Sequence, residues 1–210
     1  MILLTGVTGK IGGETARQLI AKGAKLRALV RDAAKAADLK AAGVELVVGD
    51  IADADSVKRA LAGVEKAFLL LPNGEQQEAN EKQFTDLCVA TGVRHLVKMS
   101  SMEATATAET PIPRAHWAVE EYIRASGPAW TMADARDIGA VCAEVLIGKG
   151  HAGKSYEITG PEVLTFNQVA ERFSEVLGRK IEYVPMPMAQ FRERMTGVLK
   201  PWHLDAVCAL

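Results

Sequence analysis

A short apolar run, Ile2-Leu3-Leu4-Thr5, passes directly into Gly6-Val7-Thr8-Gly9-Lys10-Ile11-Gly12, and that loop opens a segment of helical periodicity over Ile11–Lys22. A strand, a glycine loop and a helix in immediate succession leave few folds open to the chain. Gly6 permits a tight turn at the strand end, Gly9 lets the backbone approach a ligand, and Gly12 lets helix and strand pack closely. The unpaired N–H groups of the helix start then face whatever the loop holds, and they favour an anion. A dinucleotide diphosphate is the expected occupant, with Gly6, Thr8, Gly9, Lys10, Ile11 and Gly12 as its candidate contacts.

The following sequence repeats the alternation. Strands are expected at Ile2–Thr5, Lys25–Val30, Glu45–Val48, Lys66–Leu71, His95–Met99 and Ala129–Met132. Helices are expected at Ile11–Lys22, Ala33–Ala42, Asp53–Ala62, Glu75–Thr91 and Arg114–Ala125. Gly23, Gly43, Gly63, Gly92 and Gly127 each close a helical stretch before the next strand. Alternating elements of these lengths, joined by right-handed crossovers, predict an α/β fold: a Rossmann-type, doubly wound parallel sheet. Residues 151–210 read as a small C-terminal lobe on the substrate side, covering the strand ends of the domain at 1–150 within one structural unit. Its expected elements are a helix over Asp137–Ile147 leading into it, strands at Ser155–Ile158 and Ile181–Val184, and helices at Thr165–Leu177 and Met188–Leu199.

The second strand ends Leu29-Val30-Arg31-Asp32. A guanidinium at that position suits the 2′-phosphate of NADP(H), and Lys35 and Lys10 add positive charge. Asp32 beside it keeps NAD(H) open. Asp50 and Ile51, after the third strand, are placed to flank the adenine, although Asp50 reads equally well as a helix cap. Lys plus Arg number 25 against 26 Asp plus Glu, a formal net charge of -1, so there is no global nucleic-acid footprint. Cys88, Cys142 and Cys208 match no metal spacing, and no metal site is expected. No secretory signal and no membrane-spanning apolar run is evident, and a cytoplasmic monomer or homodimer is the expectation.

The spacing Gly-x-x-Gly-x-x-Gly points to the short-chain dehydrogenase group. With Leu29-Val30-Arg31, Val48-Gly49-Asp50, Phe68-Leu69-Leu70-Leu71-Pro72, Val97-Lys98-Met99-Ser100-Ser101 and His116 with Glu120-Glu121-Tyr122-Ile123, the chain resembles the NmrA-like branch of atypical short-chain dehydrogenases. Asp134-Ala135-Arg136-Asp137-Ile138 and Tyr156-Glu157-Ile158-Thr159-Gly160-Pro161 extend the resemblance over nearly the whole chain. It implies an NAD(P)H-dependent quinone oxidoreductase or an NAD(P)-sensing regulator, with Leu71, Pro72 and Asn73 against the cofactor. One departure is internal. Met132 meets Ala133-Asp134 directly, without the Arg-Pro pair and lid segment that the family carries there. A pocket without its lid is open to water, which favours the non-catalytic sensor as the alternative.

Typical short-chain dehydrogenases pair a Tyr with a Lys four residues later, and the matching helix here has Ile112 and His116. Ordinary carbonyl or alcohol chemistry is therefore not expected, which also counts against a sugar-nucleotide enzyme. A quinone is different, because hydride transfer yields a stabilised hydroquinone anion that needs little help from an acid. His116 is the candidate proton donor near neutral pH, unless it makes only a structural hydrogen bond. Ser101, with Ser100, is the candidate hydroxyl at the end of the fifth strand, where serines also cap loops. The leading expectation is an oxidoreductase that passes hydride from NADPH to a quinone or another small electrophile.

Overall fold

The structure is a computed structural model that describes residues 1–101, 103–126, 135–156 and 164–209. It separates into two compact units, Met1–Ile158 and Thr159–Leu210, so the first runs past the boundary expected at residue 150. In the first unit the strands are β1 (Ile2–Leu4), β2 (Leu26–Val30), β3 (Glu45–Val48), β4 (Lys66–Leu69) and β5 (His95–Lys98). They form one sheet in the order β3-β2-β1-β4-β5, with every pair parallel. β1 is central, with Ile2 opposite both Leu26 and Lys66. The helices are α1 (Lys10–Ala21), a 3-10 turn at Ala33–Ala36 leading into α2 (Ala37–Ala41), α3 (Ala54–Leu61), α4 (Gln77–Ala90), α5 (Pro111–Ser126) and α6 (Ala135–Ile147).

Alternation along the strands divides the core in two. Ile2, Leu4, Ala28, Val30, Phe68 and Val97 lie on one face with Ala16 and Leu19 of α1 and Ile138, Cys142 and Leu146 of α6. Leu3, Leu29, Ala67, Leu69 and Leu96 lie on the other with Val57 and Leu61 of α3, Phe84 and Cys88 of α4, and Val119 and Ile123 of α5. Each fully buried leucine or phenylalanine contributes about 1.5–3 kcal/mol, and both faces of the sheet are covered, as a parallel sheet requires. Arg27 closes the far end of α3: it pairs with Glu45 and donates to the carbonyls of Ala60 and Ala62 at 2.8 and 2.6 Å.

Five expected strands are present, each within about two residues of its expected ends. The sixth, at Ala129–Met132, lies outside the described residues, as do 157–158 of the expected strand Ser155–Ile158. In the second unit, α7 (Phe166–Leu177) begins at the expected N-cap Thr165, whose side chain and Gln168 form a reciprocal capping box. The strand expected at Ile181–Val184 does not form. Ile181 instead donates its N–H to Ser174 Oγ at 2.8 Å, and its carbonyl lies 3.2 Å from that hydroxyl, whose proton also has the Ala170 carbonyl at 2.8 Å, so α7 occupies the backbone of this residue. α8 (Met188–Met195) stops short of Leu199, because Thr196 turns to extended backbone with ψ 127°. α9 (Pro201–Cys208) was not expected; Pro201 starts it, and Arg192 of α8 reaches Asp205 on it at 2.6 Å.

The tightest backbone approach is in the opening loop. A Cβ at Gly12 would lie 2.3 Å from the Gly6 carbonyl oxygen, which backbone cannot yield without moving helix from strand. Gly12→Ala is therefore expected to cost about 1–3 kcal/mol of stability, read as a lowered urea midpoint with an unchanged slope. A midpoint equal to that of the parent would show the approach to be looser than described.

Candidate functional site

Every candidate residue outside the helices lies at the carboxyl edge of the sheet. The glycine loop follows β1, Arg31 follows β2, Asp50 and Ile51 follow β3, Leu71–Asn73 follow β4, and Ser100 and Ser101 follow β5. The chain crosses from β3 to β4 over β1, so β1 and β4 carry their helices to opposite faces and a crevice opens between their ends. Thr5 spans it. Its hydroxyl accepts from Leu70 N–H at 2.8 Å and lies 3.1 and 3.2 Å from the Leu70 and Phe68 carbonyls. Gly6 turns with φ +68°, and a Cβ there would meet Leu70 O at 2.7 Å. Gly9 is the N-cap of α1; no side chain caps it, and no acidic residue stands in the first turn. Thr8, Gly9 and Lys10 are exposed around that helix start, Ile11 half-buried behind them. Open N–H groups, a glycine cradle and a lysine are the donor set that a dinucleotide diphosphate needs, and the residues fit it.

Arg31 and Lys35 are exposed and make no ion pair among the described residues. One carboxylate oxygen of Asp32 accepts from Ala34 N at 2.9 Å as the cap of the 3-10 turn. Asp50 likewise accepts from Ala52 N at 2.9 Å, which leaves one of its oxygens for a base. Ile51 packs against the second core layer, and its carbonyl accepts from Gln83 at 3.2 Å.

Beyond the ends of β4 and β5 lies a polar network inside the core. Lys98, the last residue of β5, is completely buried on the face covered by α4 and α5. Its Nζ is 3.1 Å from Glu81 Oε2, 2.8 Å from the Met99 carbonyl and 2.8 Å from His116 Nδ1. The other ring nitrogen, His116 Nε2, faces Asn73 Oδ1 at 3.3 Å and the Gln77 amide at 3.2 Å. Gln77 also donates to Glu81 at 3.2 Å. Ser100 donates to Glu120, itself buried and paired with Arg124. The structure thus joins two sequence candidates, Asn73 and His116. It does not add Ser101 to them, because that hydroxyl donates to Glu103 at 2.6 Å.

Burial sets the electrostatics. It pulls Lys98 down and pushes Glu81 up, each opposed by the attraction of the other. Glu120 is also pushed up by burial, against the Ser100 hydrogen bond and the Lys98 and Arg124 charges. His116 is lowered to about 3, first by burial and then by the Lys98 charge. Burial and the Lys98 charge thus both act against the imidazolium form expected of His116 from the sequence near neutral pH. The ring is neutral there, and it offers an N–H as a hydrogen-bond donor.

Lys98 and Glu120 entered the sequence reading only as parts of matching stretches, with no role of their own, and Glu81 and Gln77 did not enter it. One signal was present: a lysine inside the otherwise apolar run Leu96-Val97-Lys98-Met99. Strand-end lysines ordinarily reach solvent, and only the packing of α4 and α5 shows that this one does not.

A family profile described as NAD(P)H-binding matches residues 6–137. Among curated proteins, the NAD(P)H azoreductase of Xenophilus azovorans is 31% identical over 237 residues, covering 96% of this chain and 82% of the azoreductase. That span exceeds the 210 residues of the chain, so the azoreductase carries residues within the match to which nothing here corresponds. Among solved structures, the NADPH-dependent quinone oxidoreductase of Escherichia coli, complexed with NADPH, superposes with a TM-score of 0.85 at 25% identity. It covers 100% of this chain and 87% of that one. The triphenylmethane reductase of Citrobacter sp., complexed with NADP(H), shares the fold with a TM-score of 0.84 at 23% identity, covering 99% and 87%. With the glycine cradle, the strand order and these matches in agreement, the chain belongs to the NAD(P)H-binding family, as its resemblance to the NmrA-like short-chain dehydrogenases implied.

Proposed function

We propose that this NAD(P)H-binding oxidoreductase uses NADPH to reduce a quinone or a related small electrophile. The observation that carries the proposal is the 3.3 Å approach of His116 Nε2 to Asn73 Oδ1, which places the imidazole beside the loop after β4. Gly6, Thr8, Gly9, Lys10, Ile11 and Gly12 would hold the diphosphate, and Arg31 the 2′-phosphate. Asp50 and Ile51 would flank the adenine, and Leu71, Pro72 and Asn73 the nicotinamide. Bound NADPH would supply the hydride. His116 would donate a hydrogen bond to the oxygen on which charge develops, a form of stabilisation suited to an anion that needs no strong acid. Relatives that are reductases by name over nearly the full chain favour turnover over a silent sensor.

Loss of NADPH absorbance with a panel of quinones tests the activity, and oxidation well above background is expected. Tight NADPH binding without oxidation would establish the sensor instead. For cofactor choice, Arg31→Ala is expected to weaken NADPH binding by about tenfold or more, the loss of one charge-assisted contact, and to leave NADH binding within about twofold by calorimetry. Equal losses for both would retire Arg31 as the phosphate ligand.

The sign of the pH dependence follows from the direction of the His116 shift. A histidine lowered to about 3, by burial and by the Lys98 charge beside it, is neutral at every pH well above that value. The rate should therefore show no acid limb near the ordinary histidine range of about 6.5. A limb there that His116→Asn abolishes would mean that the ring works as an imidazolium.

A further inference from the structure

Neutral imidazole exists in two tautomers, and only one of them presents a donor at Nε2. The choice between them is made on the far side of the ring. An ammonium has three N–H groups and no lone pair, and Lys98 Nζ lies 2.8 Å from Met99 O and 2.8 Å from His116 Nδ1, with Glu81 Oε2 as its ion-pair partner at 3.1 Å. His116 Nδ1 can therefore only accept, and the ring proton belongs on Nε2, towards Asn73 Oδ1 at 3.3 Å; the Gln77 carboxamide, whose nitrogen stands 3.2 Å from Nε2 and whose oxygen has no partner there, must then be turned over to present that oxygen to the ring.

The position is an expensive one for a charge. Lys98 and Glu81 are both fully buried, and Leu96 and Leu69 occupy the neighbouring positions on the same face of the sheet. Apolar residues of similar volume are often as stabilising as such a pair, or more so. Packing alone does not account for Lys98, whereas orientation of His116 does.

We propose that Lys98, held by Glu81, is a positioning residue that fixes His116 as the Nε2–H tautomer, so that a donor faces the Asn73 loop and a substrate oxygen. This rests on the function proposed above only for what the donor is used on. The tautomer itself is a property of the protein without substrate. The charge that faces the ring is Lys98 from β5, and the groups that act on Lys98 in turn are Glu81 from α4 and Glu120 from α5, with Arg124 paired to Glu120. Without the lysine, Nδ1 is free to carry the proton, and Nε2 then turns a lone pair towards the developing anion.

The test is nitrogen NMR of the full chain with isotope-labelled histidine, in which His116→Asn identifies one signal among four histidines. In the parent protein, His116 is expected as the Nε2–H form with no titration between about pH 5 and 8. Lys98→Met alone strands the Glu81 charge in the core, so the informative variant is Lys98→Met with Glu81→Gln, which removes both charges. That variant should show mixed tautomers and a kcat for quinone reduction lowered by about tenfold or more, with NADPH affinity held within about twofold. A parent His116 in the Nδ1–H or charged form overturns the proposal, whether or not the variant folds. So does a folded double variant that keeps the parental tautomer. Absence of quinone turnover with the Nε2–H form in place would instead sink the functional reading and leave the positioning intact.

Discussion

The crossover from β3 to β4 over the top of β1 is the constraint on which the rest of the molecule depends. It sends α1 to one face and α4 to the other, and the loops that follow β1 and β4 part beyond the Thr5 contact. The loop after β1 leads into a helix start that no side chain caps, and its N–H groups are there for a ligand to use. The same parting of the helices brings α4 and α5 together over the end of β5, and that layer encloses Lys98, Glu81 and His116. Cofactor cradle and polar network are thus two results of one topological step.

The parts of this arrangement that were legible in the sequence are those set by the backbone. Gly6 and Gly12 stand where any side chain would strike a carbonyl, so their identity announces the geometry before any coordinates exist. Strand and helix periods were readable for the same reason, since both faces of the sheet must be apolar. Asp32 shows the limit of reading charges in a row. In sequence it competes with Arg31 for the ribose, whereas in the structure one of its two oxygens caps the turn that follows.

What could not be read is what depends on partners distant in the chain. Lys98 and Glu81 come from a strand and a helix whose contact no local pattern encodes, and each alone looks like a residue bound for solvent. His116 was singled out for its place relative to the usual Tyr and Lys, but its protonation follows from burial and from a neighbour that its own helix does not supply. Ile181–Val184 illustrates the opposite error. Its residues suit a strand, yet a strand exists only where a second one lies alongside, and Ser174 engages the Ile181 backbone instead.

Thr5 carries one more consequence. A single hydroxyl grips the backbone where β4 ends while its own residue ends β1, so the two rims of the crevice are riveted to each other. Such a mouth is stiff before anything enters it. A guest then forfeits little to the ordering of its host, and a push on one rim is transmitted to the opposite rim without a hinge to absorb it.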